Sequence, residues 1–137
     1  MENVIRIFSQ SIGRTLYVRL RRNELTLRHI ESGRESAATS GVAFSNSRLL
    51  VANATLVTGM IKRSMRTILA KFGIAPTIIM HPLEMVEGGL SEVEEKTLTE
   101  IGFGVGAVRV VVVTGPELSD SDVMATVANR PVHRKSA

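Results

Sequence analysis

The chain has no cysteine, no tryptophan, one tyrosine and four phenylalanines. The missing cysteine excludes disulfides, thiolate nucleophiles and cysteine-ligated metal centres, and it agrees with a reducing compartment. So few aromatic rings leave little on which nucleic-acid bases could stack. No apolar run approaches the ~20 residues that a bilayer span needs. The opening, Met1 to Arg6, lacks the basic start and long apolar stretch of a secretory signal. A cytoplasmic protein is expected.

What is present fits one globular domain. Hydrophobic residues make up 44% and charged residues 22% of 137 residues, close to the composition of folded domains. A chain of this size buries about two-thirds of its unfolded surface. The net charge is +4 and the pI is about 10.1, with the basic residues spread over a hairpin, a helix and the C-terminal segment. We divide the chain into one domain, residues 1–129, and a basic, frayed tail, 130–137.

Periodicity predicts the elements. Val4 to Phe8 reads as a short strand, followed by a turn through Gly13. Leu16–Arg21 and Glu24–Ile30 read as strands joined by a turn at Arg22-Asn23; Leu25, Leu27 and His29 share one face of the second. Glu31 to Ser40, rich in Ser, Gly, Ala and charge, reads as a loop. Short extended pieces are expected at Gly41–Phe44 and Leu49–Val51. Met60, Ile61, Met65, Ile68, Leu69 and Phe72 fall at helical spacing. The helix they form is capped by Asn53 or Thr58 and ended by Gly73. Thr77–Met80 is a short apolar strand. Ser91 and Glu94 form a capping box that opens a helix to about Ile101 or Phe103, which Gly102, Gly104 and Gly106 then break. Val108 to Val113, interrupted only by Arg109, suits a central strand covered on both faces. Ser119 caps a last helix, Asp120 to Asn129. The order predicts an α/β fold: a mixed five-stranded sheet with a β-meander start and crossover helices.

Several segments, in order, resemble the first half of the bacterial actin-like, rod shape-determining MreB family. Leu16-Tyr17-Val18-Arg19 is similar to that family's "IYVK". Thr77-Ile78-Ile79-Met80-His81-Pro82 is similar to "VLVCVP", and Gly89 to Lys96 to "GxTxVERR". Gly106 to Val113 resembles "GAREVFLI". The resemblance implies the first subdomain of the actin-like ATPase (ribonuclease H-like) fold. It also exposes departures. The family opens with an Asp-Leu-Gly-Thr loop that coordinates Mg²⁺ and cradles phosphate. Here Ser9, Gln10, Ser11 and Gly13 occupy the candidate positions, without the carboxylate that a magnesium site normally needs. Thr114-Gly115-Pro116 stands where the family has the water-orienting "EEP", and the chain ends before the second phosphate loop, "DxGGGT". Phosphoryl transfer depends almost wholly on positioning and electrostatics. The resemblance therefore implies a non-catalytic half-actin with a degenerate phosphate loop, no catalytic residue, no metal and no cofactor. It would act as an interaction or regulatory module in cell-shape determination. Its expected partner is a full-length bacterial actin or a second copy.

Other constellations are weighed beside it. Arg14, Arg19, Arg21, Arg22 and Arg28 crowd one hairpin and form a candidate interaction patch, or a small nucleic-acid-binding surface. Charged edge strands also guard ordinary sheets against aggregation. His81, Glu84 and Glu87 could bind a divalent metal or act as an acid/base pair in a metal-dependent enzyme; the blander reading makes them solvated loop residues. His29 reads as a satisfied or edge histidine, and His133 carries no signal. Gly102 to Gly106 resembles a phosphate loop only superficially, because it follows a helix and precedes a strand. Val4, Ile5, Ile7 and Phe8 could touch a membrane surface, although strand alternation explains them equally.

Overall fold

The computed structural model describes residues 13–70, 73–129 and 133–134. The strand expected at Val4–Phe8, the candidate loop residues Ser9, Gln10 and Ser11, and Phe72 lie outside them. Five strands are β1 (Thr15–Arg21), β2 (Glu24–His29), β3 (Glu35–Thr39), β4 (Thr77–Pro82) and β5 (Arg109–Val112); a two-residue β6 (His133–Arg134) lies at one edge. They form one sheet in the order β3-β2-β1-β4-β5-β6. The first three make an antiparallel meander, while β4 and β5 run parallel to β1 and to each other. Helix α1 (Ala54–Ile68) carries the chain from β3 to β4, α2 (Glu92–Gly104) carries it from β4 to β5, and α3 (Asp120–Asn129) follows β5. The architecture is thus α/β, with a mixed sheet, a meander start and crossover helices.

Strand alternation gives the sheet two different faces. Leu16, Val18 and Leu20 of β1 meet Leu25 and Leu27 of β2 and Ile78 and Met80 of β4. On them pack Val57, Met60 and Ile61 of α1 and Leu98 and Ile101 of α2, forming the main core. The opposite face carries a smaller cluster of Tyr17, Ile79, Val111, Val113 and Val123, the last from α3.

Each helix starts where a side chain caps it. Asn53 accepts the Leu56 amide at 3.0 Å, Ser91 and Glu94 form the capping box, and Ser119 accepts the Asp122 amide at 3.2 Å. Two expected helix ends are corrected. Helix α1 stops at Ile68, with Leu69 already extended, rather than at Gly73. Helix α2 runs through Gly102 to Gly104 instead of breaking there. A Cβ on Gly102 would stand 2.6 Å from Val110 Cγ2, so glycine lets this helix lie close on the sheet. Gly106, at φ +103°, makes the turn that follows.

Further expectations are corrected. The segment read as a loop, Glu31 to Ser40, contains β3, paired residue for residue with β2. Its Ser/Ala/Glu composition is poor for a strand, but an edge strand needs only one ladder and one packed side, here Ala38. Residues 41–51 form no strand. Asn46 Oδ1 accepts the amides of Arg48 and Leu49 at 2.9 and 2.7 Å, a local turn that competes with extension, while Phe44 is fully buried. The central strands are β1 and β4, with β5 beside the short edge strand; its two faces are nonetheless both covered, through Val110 and Val111. Within the segment read as a frayed tail, 133–134 pair with Arg109 and Val110. No helix among the described residues is long and apolar enough to cross a membrane.

Two glycines should respond oppositely to alanine. Nothing lies within 4 Å of a Cβ built on Gly59 in α1, so Gly59→Ala should stabilise by ~1 kcal/mol. Gly102→Ala forces Val110 to move and should destabilise by about 1–3 kcal/mol. Urea unfolding of dilute protein measures both.

Candidate functional site

The sheet face toward α3 gathers the chain's polar side chains. In register across it, Tyr17 lies beside Arg28 and Ile79, and Arg19 beside Thr26 and His81. Alternation that sends Leu16, Val18 and Leu20 to the main core sends Tyr17, Arg19 and Arg21 to this side.

His81 is 0% exposed and Tyr17 1%. The His81 Nε2–H donates to the Gly115 carbonyl at 2.8 Å, which leaves Nδ1 as the acceptor of a neutral ring. The Tyr17 hydroxyl donates to that Nδ1 at 2.7 Å, and Tyr17 Oη accepts the Leu118 amide at 3.0 Å. Every polar atom of this chain of bonds has a partner. Burial lowers the His81 pKa, outweighing the Gly115 bond that favours the charged ring. Burial likewise raises the Tyr17 pKa, against the opposing Leu118 bond. Both groups are held neutral.

Ion pairs lie above this buried pair. Arg19 bridges Glu35 of β3 and Glu117 of the turn after β5. Its guanidinium carbon lies 5.6 Å from the Tyr17 ring centre, within cation–π range. Arg28 grips Asp120, at the start of α3, with two bonds of 2.7 and 2.9 Å. The hydrogen bond from Arg19 lowers the Glu117 pKa. The bond between Arg28 and Asp120 lowers the Asp120 pKa and raises that of Arg28. These pairs are partly open to water and contribute about 0–1 kcal/mol each. Together with the buried bonds they tie residues 115–120 to the sheet at four points.

The expected site residues separate. Arg19 and Arg28 belong to this clamp and are neutralised by acidic partners. Arg21 reaches Glu84 at 4.0 Å, and Arg22 lies exposed in the hairpin turn. Arg14 is at the other end of β1, where its Nη2 donates to the Ala70 carbonyl at 2.6 Å. The five arginines therefore do not form one free patch. His81 is no solvated loop residue, because β4 extends to Pro82 and buries it. Both its ring nitrogens are engaged, Glu87 is exposed, and no metal-holding group of side chains occurs among the described residues. His29 is satisfied, as expected: Nε2–H donates to the Gly13 carbonyl and Nδ1 accepts from Ser32 Oγ, each at 2.6 Å. Gly102 to Gly106 forms a helix end leading into β5.

Sequence reasoning missed Tyr17, Glu35, Glu117 and Asp120 as partners. The signal available for Tyr17 and His81 was strand parity: the sole tyrosine shares a face with Arg19, and extending the apolar strand by two residues places His81 on the face of Ile79. Elsewhere, an apolar cleft of about 60 Å³ opens between Leu49, Pro82, Met85, Leu90 and Val93.

The fold and this site define a mixed α/β domain whose buried histidine and tyrosine lock a turn onto the sheet. The chain is 36% identical, over 126 residues, to "Uncharacterized protein YjaA" of Escherichia coli (strain K12), covering 84% of this chain and 98% of that protein. It belongs to the YjaA family. No family profile matches the chain, and no solved structure matches it.

Stability should follow the protonation of the clamp. The folded state lowers the His81 pKa, so the contribution of neutral His81 is full above the ordinary histidine pKa of about 6.5 and is lost as pH falls below it. The depressed Glu117 and Asp120 contribute above the ordinary carboxylate range and lose that contribution only at lower pH still. Urea midpoints should therefore drop between about pH 7 and pH 5, and His81→Gln should flatten this limb. Tyr17→Phe leaves His81 Nδ1 and the Leu118 amide unpaired and should cost about 1–3 kcal/mol at neutral pH.

Proposed function

We propose that the chain is a non-catalytic, half-actin-like interaction module that acts in the cytoplasm on a full-length bacterial actin and thereby on cell shape. The observation that carries this reading is the state of the turn after β5. The resemblance implies a water-orienting group there; instead the Gly115 carbonyl accepts from buried His81, and Glu117 pairs with Arg19. The strand order β3-β2-β1-β4-β5, with α1 and α2 as crossovers, supports the actin-like (ribonuclease H-like) layout. At the start of β1, Gly13 offers its carbonyl to His29, and no aspartate stands between Ser9 and Arg14.

The two other readings draw less support from the geometry. Neutralisation of Arg19 and Arg28 removes two of the cations that a nucleic-acid surface on this hairpin would use. Engagement of both His81 nitrogens removes the candidate ligand and base from the His81–Glu87 segment.

Calorimetry with Mg-ATP should give no binding heat, and the purified chain should co-sediment with filaments of a full-length bacterial actin. Tight, magnesium-dependent ATP binding would overturn the non-catalytic reading. A chain left wholly in the supernatant would overturn the actin partner.

A further inference from the structure

Arg19, Arg21 and Arg28 of the hairpin are held in ion pairs, whereas cations elsewhere are not. Between Glu35 and Glu84 the sequence has no acidic residue and five basic ones. Three of these, Lys62, Arg63 and Arg66, are exposed on α1, and none forms an ion pair with a described residue. Arg14 adjoins them, and with Lys62 and Arg66 it borders a groove of about 560 Å³ that also contains Met65, Leu69 and Val105. The neighbouring helix has the opposite sign. α2 exposes Glu92 and Glu100, has three acidic residues in its first turn and no basic residue in its last. Its Val93 is 75% exposed. Lys62 and Glu100 flank a shallow groove between the two helices without pairing across it. Lys96 is the one cation that α2 adds.

A positive stripe beside a negative stripe on one layer complements itself. A twofold axis lying in the interface, parallel to the helices and between them, places α1 of one copy over α2 of the other. We propose that the outer face of the α1/α2 layer is the interface of a homodimer, in which Lys62 of each copy, beside the groove between the helices, meets Glu100 of its partner. Gly59, with open space where its Cβ would stand, leaves room in the middle of α1 for the opposing helix. The two helices are each roughly 20 Å long and about 10 Å apart. They offer a face at the small end of stable interfaces, so the dimer is weak, concentration-dependent and sensitive to salt. The inference rests on the interaction-module reading and is independent of the actin resemblance.

Sedimentation velocity of the purified chain tests it, over concentrations from about 10 to 500 µM in low and high salt. The wild type should shift from monomer toward dimer with concentration, less so in high salt. Lys62→Glu should weaken association by at least roughly tenfold, as should Glu100→Lys alone. Combining the two reversals should restore the dimer, because each charge then meets its new opposite. Both positions are exposed, and circular dichroism confirms that the variants fold. A wild type that stays monomeric throughout overturns the proposal, and so does a double variant that does not recover. A chain that stays monomeric yet binds an acidic protein assigns the basic stripe to that partner and also overturns it. Dimerisation without actin co-sedimentation removes only the actin partner, and co-sedimentation by a strict monomer removes only the dimer.

Discussion

The hydrogen bond from Tyr17 to His81 joins the two central strands on the side of the sheet where packing is thin. The main core is deep, with α1 and α2 both supplying buried residues. Helix α3 supplies one fully buried side chain, Val123. Complete burial of a valine is worth roughly 1.5–3 kcal/mol, too little to order ten residues and the turn before them. The polar clamp makes up the difference. Its strength depends on each member fixing the next: the Gly115 carbonyl selects the His81 tautomer, the free Nδ1 orients the Tyr17 hydroxyl, and the tyrosine oxygen receives the Leu118 amide. In a medium of low dielectric such a chain is favourable only when complete, and here it is.

The clamp also explains where the chain's charge ends up. Five arginines close together in sequence suggest a cationic surface, but their positions and partners divide them. Arg19 and Arg28 face the same side as Glu35, Glu117 and Asp120, so the meander and the β5–α3 turn neutralise each other across long sequence separations. Arg14 precedes β1 at the opposite end, where it donates to the Ala70 carbonyl just past α1. Helix α1 carries three further exposed cations, with no acidic residue at helical spacing to pair with.

Much of the fold was legible because the local signals were strong. The Ser91–Glu94 box, the Ser119 cap, the Arg22-Asn23 turn and the alternation of Leu25, Leu27 and His29 all specify structure within a few residues. What escaped was non-local. The third meander strand, Glu35–Thr39, is a strand because β2 offers it a ladder and Arg19 and Arg28 offer Glu35 charge, and none of that is written in Ser-Ala-Ala. The placement of His81 turned on two residues: an apolar run that ends at Met80 leaves it in a loop, and one that reaches Pro82 buries it. Glu117 and Asp120 reveal themselves only once β1 and β5 are known to share a sheet, because about a hundred residues separate them from Arg19 and Arg28.

In open α/β sheets, ligands bind beyond the carboxyl ends of the parallel strands, where loops diverge and helix termini point inward. In this chain that place is already filled. His81 stands at the end of β4, the Gly115 turn follows β5, and Glu117 reaches Arg19 above them. A substrate entering there would have to lift the turn and leave a buried histidine and tyrosine unpaired, at a cost of several kcal/mol before any contact formed. Among the described residues, His81 and Tyr17 are thus engaged in holding the turn to the sheet. The helical layer on the far side of the sheet, which the clamp does not use, is the surface that the proposed dimer takes.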